Sequence, residues 1–316
     1  MLQDAAGKSA QIELVTKAIK LGGNAPILSH AIGSLGIVNH CVGTVGLPAI
    51  HPVFKDLHTN SFLHSIGEPG ISNALELDDG KLILSELSTF DSLTLEKIVS
   101  IIGEDFLCQR LIESDLVALV DWANLPLCTP LWLDLYHFLK TRNISNKIFF
   151  FDLCDPHKKN KQEVSEILKV IGCYQSLGKT ILGLNENEAI QLFQGIREIH
   201  AADKNESIEF ADNNLKQIVR FIFEHIQVDI LLVHPVDSTI VVTHNETIEL
   251  PGRMVAQPKL LTGGGDNLNA GFCFGLLHQF SLQECMLMGM ATSGAYVQNG
   301  YSPNRDEIIN YLNNWQ

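Results

Sequence analysis

The stretch Leu261-Thr262-Gly263-Gly264-Gly265-Asp266-Asn267-Leu268-Asn269-Ala270-Gly271-Phe272-Cys273-Phe274-Gly275-Leu276-Leu277 decides the fold. Three glycines stand directly before an acid, and the acid opens an apolar helix. Without Cβ atoms, consecutive glycine N–H groups can crowd around an anion. The helix start adds uncapped N–H donors and the positive end of the dipole. Asp266 then has two possible jobs: to cap its own helix, or to take a proton from a nucleophile held beside the anion. An anion cradle with a base is the minimum apparatus for phosphoryl transfer, where positioning and charge stabilisation supply most of the catalysis. Ala270, Gly271 and Gly275 give the helix a flat face for close packing near that site.

A second constellation lies upstream. Ile181-Leu182-Gly183-Leu184-Asn185-Glu186-Asn187-Glu188-Ala189 reads as a strand end followed by a helix start. Taken alone, Asn185 and Glu188 form a capping-box arrangement. A third, Leu21-Gly22-Gly23-Asn24-Ala25-Pro26, leads a helix and then a strand closed by Gly43 and Gly46.

Together these segments resemble the PfkB (ribokinase-like) carbohydrate kinases. The first is similar to that family's T-x-G-A/G-G-D-x-F-x-A-G-F signature, with Leu268 in place of the common Phe. The second is similar to its N-x-x-E motif, and the third to its Gly-Gly signature. The resemblance implies that Asp266 is the base and that Gly263, Gly264 and Gly265 form the anion hole. It implies ATP as phosphoryl donor, with Thr262, Gly263, Gly265 and Asn185 toward the nucleotide. Asn185 and Glu188 become the Mg²⁺-associated pair, acting through water. Gly22, Gly23 and Asn24 face a sugar-like substrate; on an ungapped reading the family's substrate amide falls at Ile27, and Asn24 is the nearest amide. Asn124, with Asp121, sits at a strand end where α/β proteins bind ligands.

Alternating strand and helix patterns argue for an α/β fold, a parallel sheet with helices on both faces. The implied architecture is a three-layer ribokinase-like core over residues 1–316, with a small β lid at about residues 72–88. Core strands are expected at 37–45, 116–120, 147–153, 180–184 and 229–234. Helices are expected at 25–35, 93–102, 130–141, 161–177, 186–194, 213–225, 268–279, 282–297 and 305–313. Two hairpins are expected, 73–77 with 81–86 around Asp78-Asp79-Gly80, and 238–243 with 247–250. Family members begin with a buried strand; residues 1–10 carry no strand signature, so that strand is expected to be missing. The turn after residue 230 departs too, with His234-Pro235 replacing a Gly-rich approach to the nucleotide.

Bulk composition bounds the partners. The net charge of −14 disfavours a nucleic-acid or anionic-membrane surface. Seven scattered cysteines without C-x-x-C fit reduced thiols in a cytoplasmic protein. No apolar run is long enough to span a membrane. Gly7-Lys8-Ser9 lacks the first glycine and the strand of a P-loop. The family's lids often pair, so the resemblance allows a homodimer through the lid and leaves the oligomeric state open. A non-catalytic sensor and a nucleoside or vitamin kinase of the same fold stand as alternatives.

Overall fold

A computed structural model describes residues 7, 13–77, 80–204 and 214–315. The expectations for residues 1–10, for Gly7-Lys8-Ser9 as a unit, for Asp78-Asp79 in the hairpin turn and for a helix start at Asn213 lie outside the described residues.

The elements run in chain order as α1 Asn24–Ser34, β1 Asn39–Gly43, β2 Ser61–Ser65, β3 Ile71–Leu77, β4 Gly80–Glu86, α2 Leu95–Ile102, α3 Glu104–Glu113 and β5 Leu116–Val120. There follow α4 Cys128–Thr141, β6 Lys147–Asp152, α5 Lys161–Cys173, β7 Gly178–Asn185, α6 Glu186–Lys204 and α7 Leu215–His225. The chain closes with β8 Ile230–His234, β9 Ser238–Thr243, β10 Thr247–Pro251, α8 Gly264–Leu277, α9 Leu282–Asn299 and α10 Arg305–Asn313.

The central sheet has six strands in the order β10-β9-β8-β7-β6-β5. β5 to β8 run parallel, and β9 and β10 add an antiparallel edge. Strand side chains alternate between faces, and the two cores follow that alternation. Phe149, Phe151, Leu182, Leu184, Leu231 and Val233 pack under α4 to α7. Phe150, Ile181, Ile230 and Leu232 pack under α1, α8 and α9. The three-layer α/β/α reading therefore holds, and the continuous apolar runs of β6 to β8 are those of strands covered on both faces.

Several expectations are corrected. Residues 37–45 do not join the central sheet: β1 pairs in parallel with β2 in a separate two-stranded sheet. An apolar run announces a strand but not its partner. β2 was not anticipated because Ser-Phe-Leu-His-Ser is short and largely polar. α3 was missed for a similar reason, its sequence Glu-Asp-Phe-Leu-Cys-Gln-Arg-Leu-Ile-Glu carrying four charges and burying only Leu107 and Leu111. α6 continues past Gln194 through Gly195 to Lys204, because one helical glycine costs only about 1 kcal/mol. α8 begins four residues before residue 268, so Gly264, Gly265 and Asp266 form its first turn.

The small-residue face of α8 does what its sequence suggests. A Cβ at Gly271 would lie 2.4 Å from Thr292 Oγ1 and 2.5 Å from the Met288 carbonyl oxygen. A Cβ at Gly275 would lie 2.8 Å from Cys285 Sγ. α8 and α9 thus touch almost backbone to backbone. Gly271→Val should destabilise the protein by about 3 kcal/mol, the upper end for overpacking, because backbone blocks the added methyls. A urea midpoint like that of the wild type would show that α9 can retreat freely.

Candidate active site

The first turn of α8 stands at the C-terminal edge of the parallel strands, the usual ligand side of such a sheet. Gly263 is its N-cap with φ 93°, a left-handed conformation that suits glycine, and no side chain caps the helix. The Asn267 N–H and Asn267 Nδ2 both donate to the Gly263 carbonyl, at 3.1 and 2.8 Å. The Gly264 N–H turns back to the Leu261 carbonyl at 3.1 Å. The amides of Gly265 and Asp266 have no acceptor among the described residues. Tyr296, from α9, donates its hydroxyl to the Thr262 carbonyl at 2.6 Å and braces the loop from behind. A Cβ at Gly263 would lie 2.8 Å from that hydroxyl and 3.5 Å from Ile27 Cδ1. Thr262 itself is exposed.

Asp266 does not cap α8. It is the third residue of the helix, half-buried, and accepts a hydrogen bond from the side chain of Asn24. Asn24 opens α1, whose N-cap is Gly23 at φ 87°. Two glycine-bearing segments far apart in sequence therefore meet at one carboxyl group. Gly22 is exposed, with nothing within 4 Å of an added Cβ.

Around Asp266 the charges are of one sign. Burial holds its carboxyl well above the ordinary aspartate range, and Asp152, Asp121 and Glu188 push it the same way, while the Asn24 hydrogen bond opposes them. Burial raises Asp152, with Asp121 pushing the same way, and burial raises Glu188, with Asp152 pushing the same way. Asp121, left-handed at φ 70°, is raised by burial, against the pull of Asn124, Cys154 and Lys158.

Asn185 and Glu188 form a closed capping box at the junction of β7 and α6. The Asn185 N–H donates to Glu188 Oε2 at 2.8 Å, and the Glu188 N–H donates to Asn185 Oδ1 at 2.9 Å. The sheet places Asn185 opposite His234 and Gly183 opposite Asp152. His234 ends β8 beside the first turn of α8, with its Cε1 3.3 Å from where a Gly265 Cβ would stand. Burial pushes its pKa down to about 4, so the ring is neutral at pH 7. Asn124 is committed at both ends, donating to Asp121 Oδ1 at 2.6 Å and accepting from Lys158 Nζ at 2.7 Å.

Sequence reasoning did not single out Asp152, Asn269, Tyr296 or a contact for His234. Asp152 carried a signal: it is the acid that ends the apolar run Phe149-Phe150-Phe151, at the ligand end of a strand. Tyr296 lies in a stretch read only as helix 282–297, and nothing local marks its tie to Thr262. Chemically, the assembled site offers open helix amides for an anion and, beside them, a carboxyl able to receive a proton.

The family model described as prokaryotic ketohexokinase matches residues 2–315. A ketohexokinase of Haloferax volcanii is 23% identical over 304 residues, which is 96% of this chain and 78% of that protein. Ribokinase of Arabidopsis thaliana, solved with ribose and ATP, superposes with a TM-score of 0.71 at 16% identity, over 97% of this chain and 91% of that one. Fructokinase of Xylella fastidiosa with bound ATP gives a TM-score of 0.66 at 14% identity, over 92% and 90% of the two chains. These structural likenesses establish a ribokinase-like fold.

Proposed function

The chain belongs to the prokaryotic ketohexokinase family and is a PfkB-type carbohydrate kinase, and from that premise we propose that it moves the γ-phosphoryl group of ATP to a hydroxyl of a ketohexose, with Asp266 as the base. The observation that carries this reading is the juxtaposition of the Asp266 carboxyl, held by Asn24, with the open amides of Gly265 and of Asp266 itself. ATP is the donor by analogy with the ATP-bound ribokinase and fructokinase of the same fold.

Asp266 takes the proton of the attacking hydroxyl as the oxygen–phosphorus bond forms. The helix amides, in a left-handed glycine turn that brings backbone close to the phosphate, stabilise charge on the transferring group. Asn24 holds the carboxyl in place, and with Gly23 it lines the sugar side. Asn124 completes that side through its ties to Asp121 and Lys158. The acceptor is a neutral polyol: four carboxylates converge on the site, and Lys158, the cation that pulls on Asp121, is already bonded to Asn124. An anionic acceptor would meet repulsion there.

A divalent cation suits this acidic setting. Among the described residues no group of three or more His, Cys, Asp or Glu is arranged to hold a metal alone, and Asn185 and Glu188 are engaged with each other. Asn185 and Glu188 would hold Mg²⁺ through water, its usual mode, and the charge of the cation would there offset that of the phosphates.

We read residues 1–316 as one kinase domain with β3 and β4 as its lid. In the antiparallel register, Ile71, Leu75, Leu77, Leu82 and Leu84 share one face of this hairpin, and Ile71, Leu77, Leu82 and Leu84 are largely exposed. Such a two-stranded sheet is marginal alone. Closing over the sugar excludes water that would otherwise accept the phosphoryl group, and pairing with the lid of a second copy would cover the remaining apolar surface. No helix among the described residues is long and apolar enough to cross a membrane. All seven cysteines are free thiols, which suits a cytoplasmic setting.

ADP release with Mg²⁺ and ATP, measured across ketohexoses, aldohexoses, sugar phosphates and nucleosides, tests the acceptor. The highest kcat/KM should fall on a ketohexose, by about tenfold or more, as expected of a site that hydrogen-bonds its substrate's hydroxyls. A nucleoside or sugar phosphate as best acceptor would overturn the assignment.

A further inference from the structure

Among the described residues Asp152 is the single charged side chain in the buried interior, 8% exposed. A buried carboxylate is costly unless well partnered, and the partners it has are neutral. The Cys154 N–H donates to its Oδ1 at 2.8 Å, and Asn269 Nδ2 donates to its Oδ2 at 2.8 Å. Asn269 is itself 1% exposed, and its Oδ1 is buried without a hydrogen-bond partner. The fold also keeps room for this contact. A Cβ at Gly183, beside Asp152 on β7, would lie 3.3 Å from Asn269 Oδ1 and 2.7 Å from Phe150 Cζ.

Asn269 follows Asp266 by three residues, so the two share a face of α8 one turn apart. The hydrogen bond to Asp152 therefore pins the helix to the end of β6 at the turn that follows the base. Rotation of α8 about its axis would swing the Asp266 carboxyl and the first-turn amides together.

We propose that Asp152 is a positioning residue for phosphoryl transfer, which, through Asn269, fixes the rotation of α8 and so aims Asp266 and the helix amides at the transferring group. The proposal rests on the reading of Asp266 as the base.

The test compares Asp152→Asn and Asp152→Glu in the full chain, with Asp152→Ala, Asn269→Ala and the double alanine variant beside them. Asn at 152 can accept from the Cys154 N–H and, with the Asn269 amide turned over, donate to Asn269 Oδ1, keeping the clamp without charge. Glu keeps the charge but moves it by one methylene. Each alanine variant and Asp152→Glu should lower kcat by about 10- to 100-fold, the cost of misplacing reacting groups by an ångström or less. KM for ATP and sugar should stay within about threefold, since positioning acts on the transition state. The double alanine variant should be no worse than the poorer single, because both remove one clamp. Asp152→Asn should recover kcat to near the wild-type value. Asp152→Glu outperforming Asp152→Asn would overturn the proposal in favour of a charge role, and so would independent, multiplying losses in the double variant. Should the alanine variants not fold, the Asn and Glu pair decides alone. Asp266→Asn run in parallel separates the two claims: retained turnover there defeats the base assignment whatever happens at Asp152.

Discussion

Asp266→Asn should lower kcat by about three orders of magnitude while leaving fold and ATP affinity intact, the loss expected when a positioned base is removed. Asn matches Asp in shape, and its oxygen can still accept from Asn24. The helix amides are backbone groups and are untouched. Steady-state kinetics beside equilibrium ATP titration check this, and turnover within tenfold of wild type would remove Asp266 from the base role. Stability should move the other way. Burial and three neighbouring carboxylates raise the folded-state pKa of Asp266 above its unfolded value. Such a group favours the folded state fully only below the unfolded pKa, about 4, and that contribution is lost as pH rises through the folded value. The Asn variant never ionises. It should therefore melt higher than wild type at pH 7, with the advantage vanishing toward pH 4. The same raised pKa places the acid limb of wild-type kcat/KM in the free enzyme above the ordinary carboxylate range.

Gly263→Ala should produce the next largest effect, a fall in kcat of about 100-fold, comparable to the loss of one oxyanion-hole donor. Its φ of 93° is strained for alanine, at a cost of about 1–2 kcal/mol. The new methyl would stand 2.8 Å from the Tyr296 hydroxyl, which braces the Thr262 carbonyl at 2.6 Å. The loop or the tyrosine must shift, and either displaces the Gly265 and Asp266 amides. KM for ATP should rise as well, since the cradle holds phosphate in the ground state; the Asp266 variant should not show this. Unchanged kinetics with a lowered melting temperature would show that the loop braces the fold and not the anion.

What the sequence disclosed and what it hid divide along the range of the contacts. The glycine turn at 263–265 and the Asn185–Glu188 capping box are local solutions to backbone demands, so spacing alone exposes them. The sheet strands β6 to β8 were legible because burial on both faces makes their runs apolar. By contrast, the contact between Asp152 and Asn269 spans 117 residues, and neither partner carries a local pattern that names the other. The meeting of Asn24 with Asp266 had support only from the family resemblance. β1 was seen as a strand yet given the wrong sheet, since hydrophobicity marks burial and does not choose a hydrogen-bonding neighbour. His234 stood out only as a departure from a Gly-rich turn; its place beside Gly265 is a tertiary contact.

The central claim is that one hydroxyl proton passes to Asp266 as the γ-phosphoryl group moves to a sugar. Phosphorus NMR on ATP, Mg²⁺ and a ketohexose, with wild type and Asp266→Asn in parallel, tests it most directly. Wild type should convert ATP into ADP and a sugar phosphate ester in equal amounts, without free phosphate, and the variant should bind ATP yet form no detectable ester in the same time. Ester formation by the variant at a rate near that of wild type would contradict the account, as would release of inorganic phosphate in place of the ester by the wild-type protein.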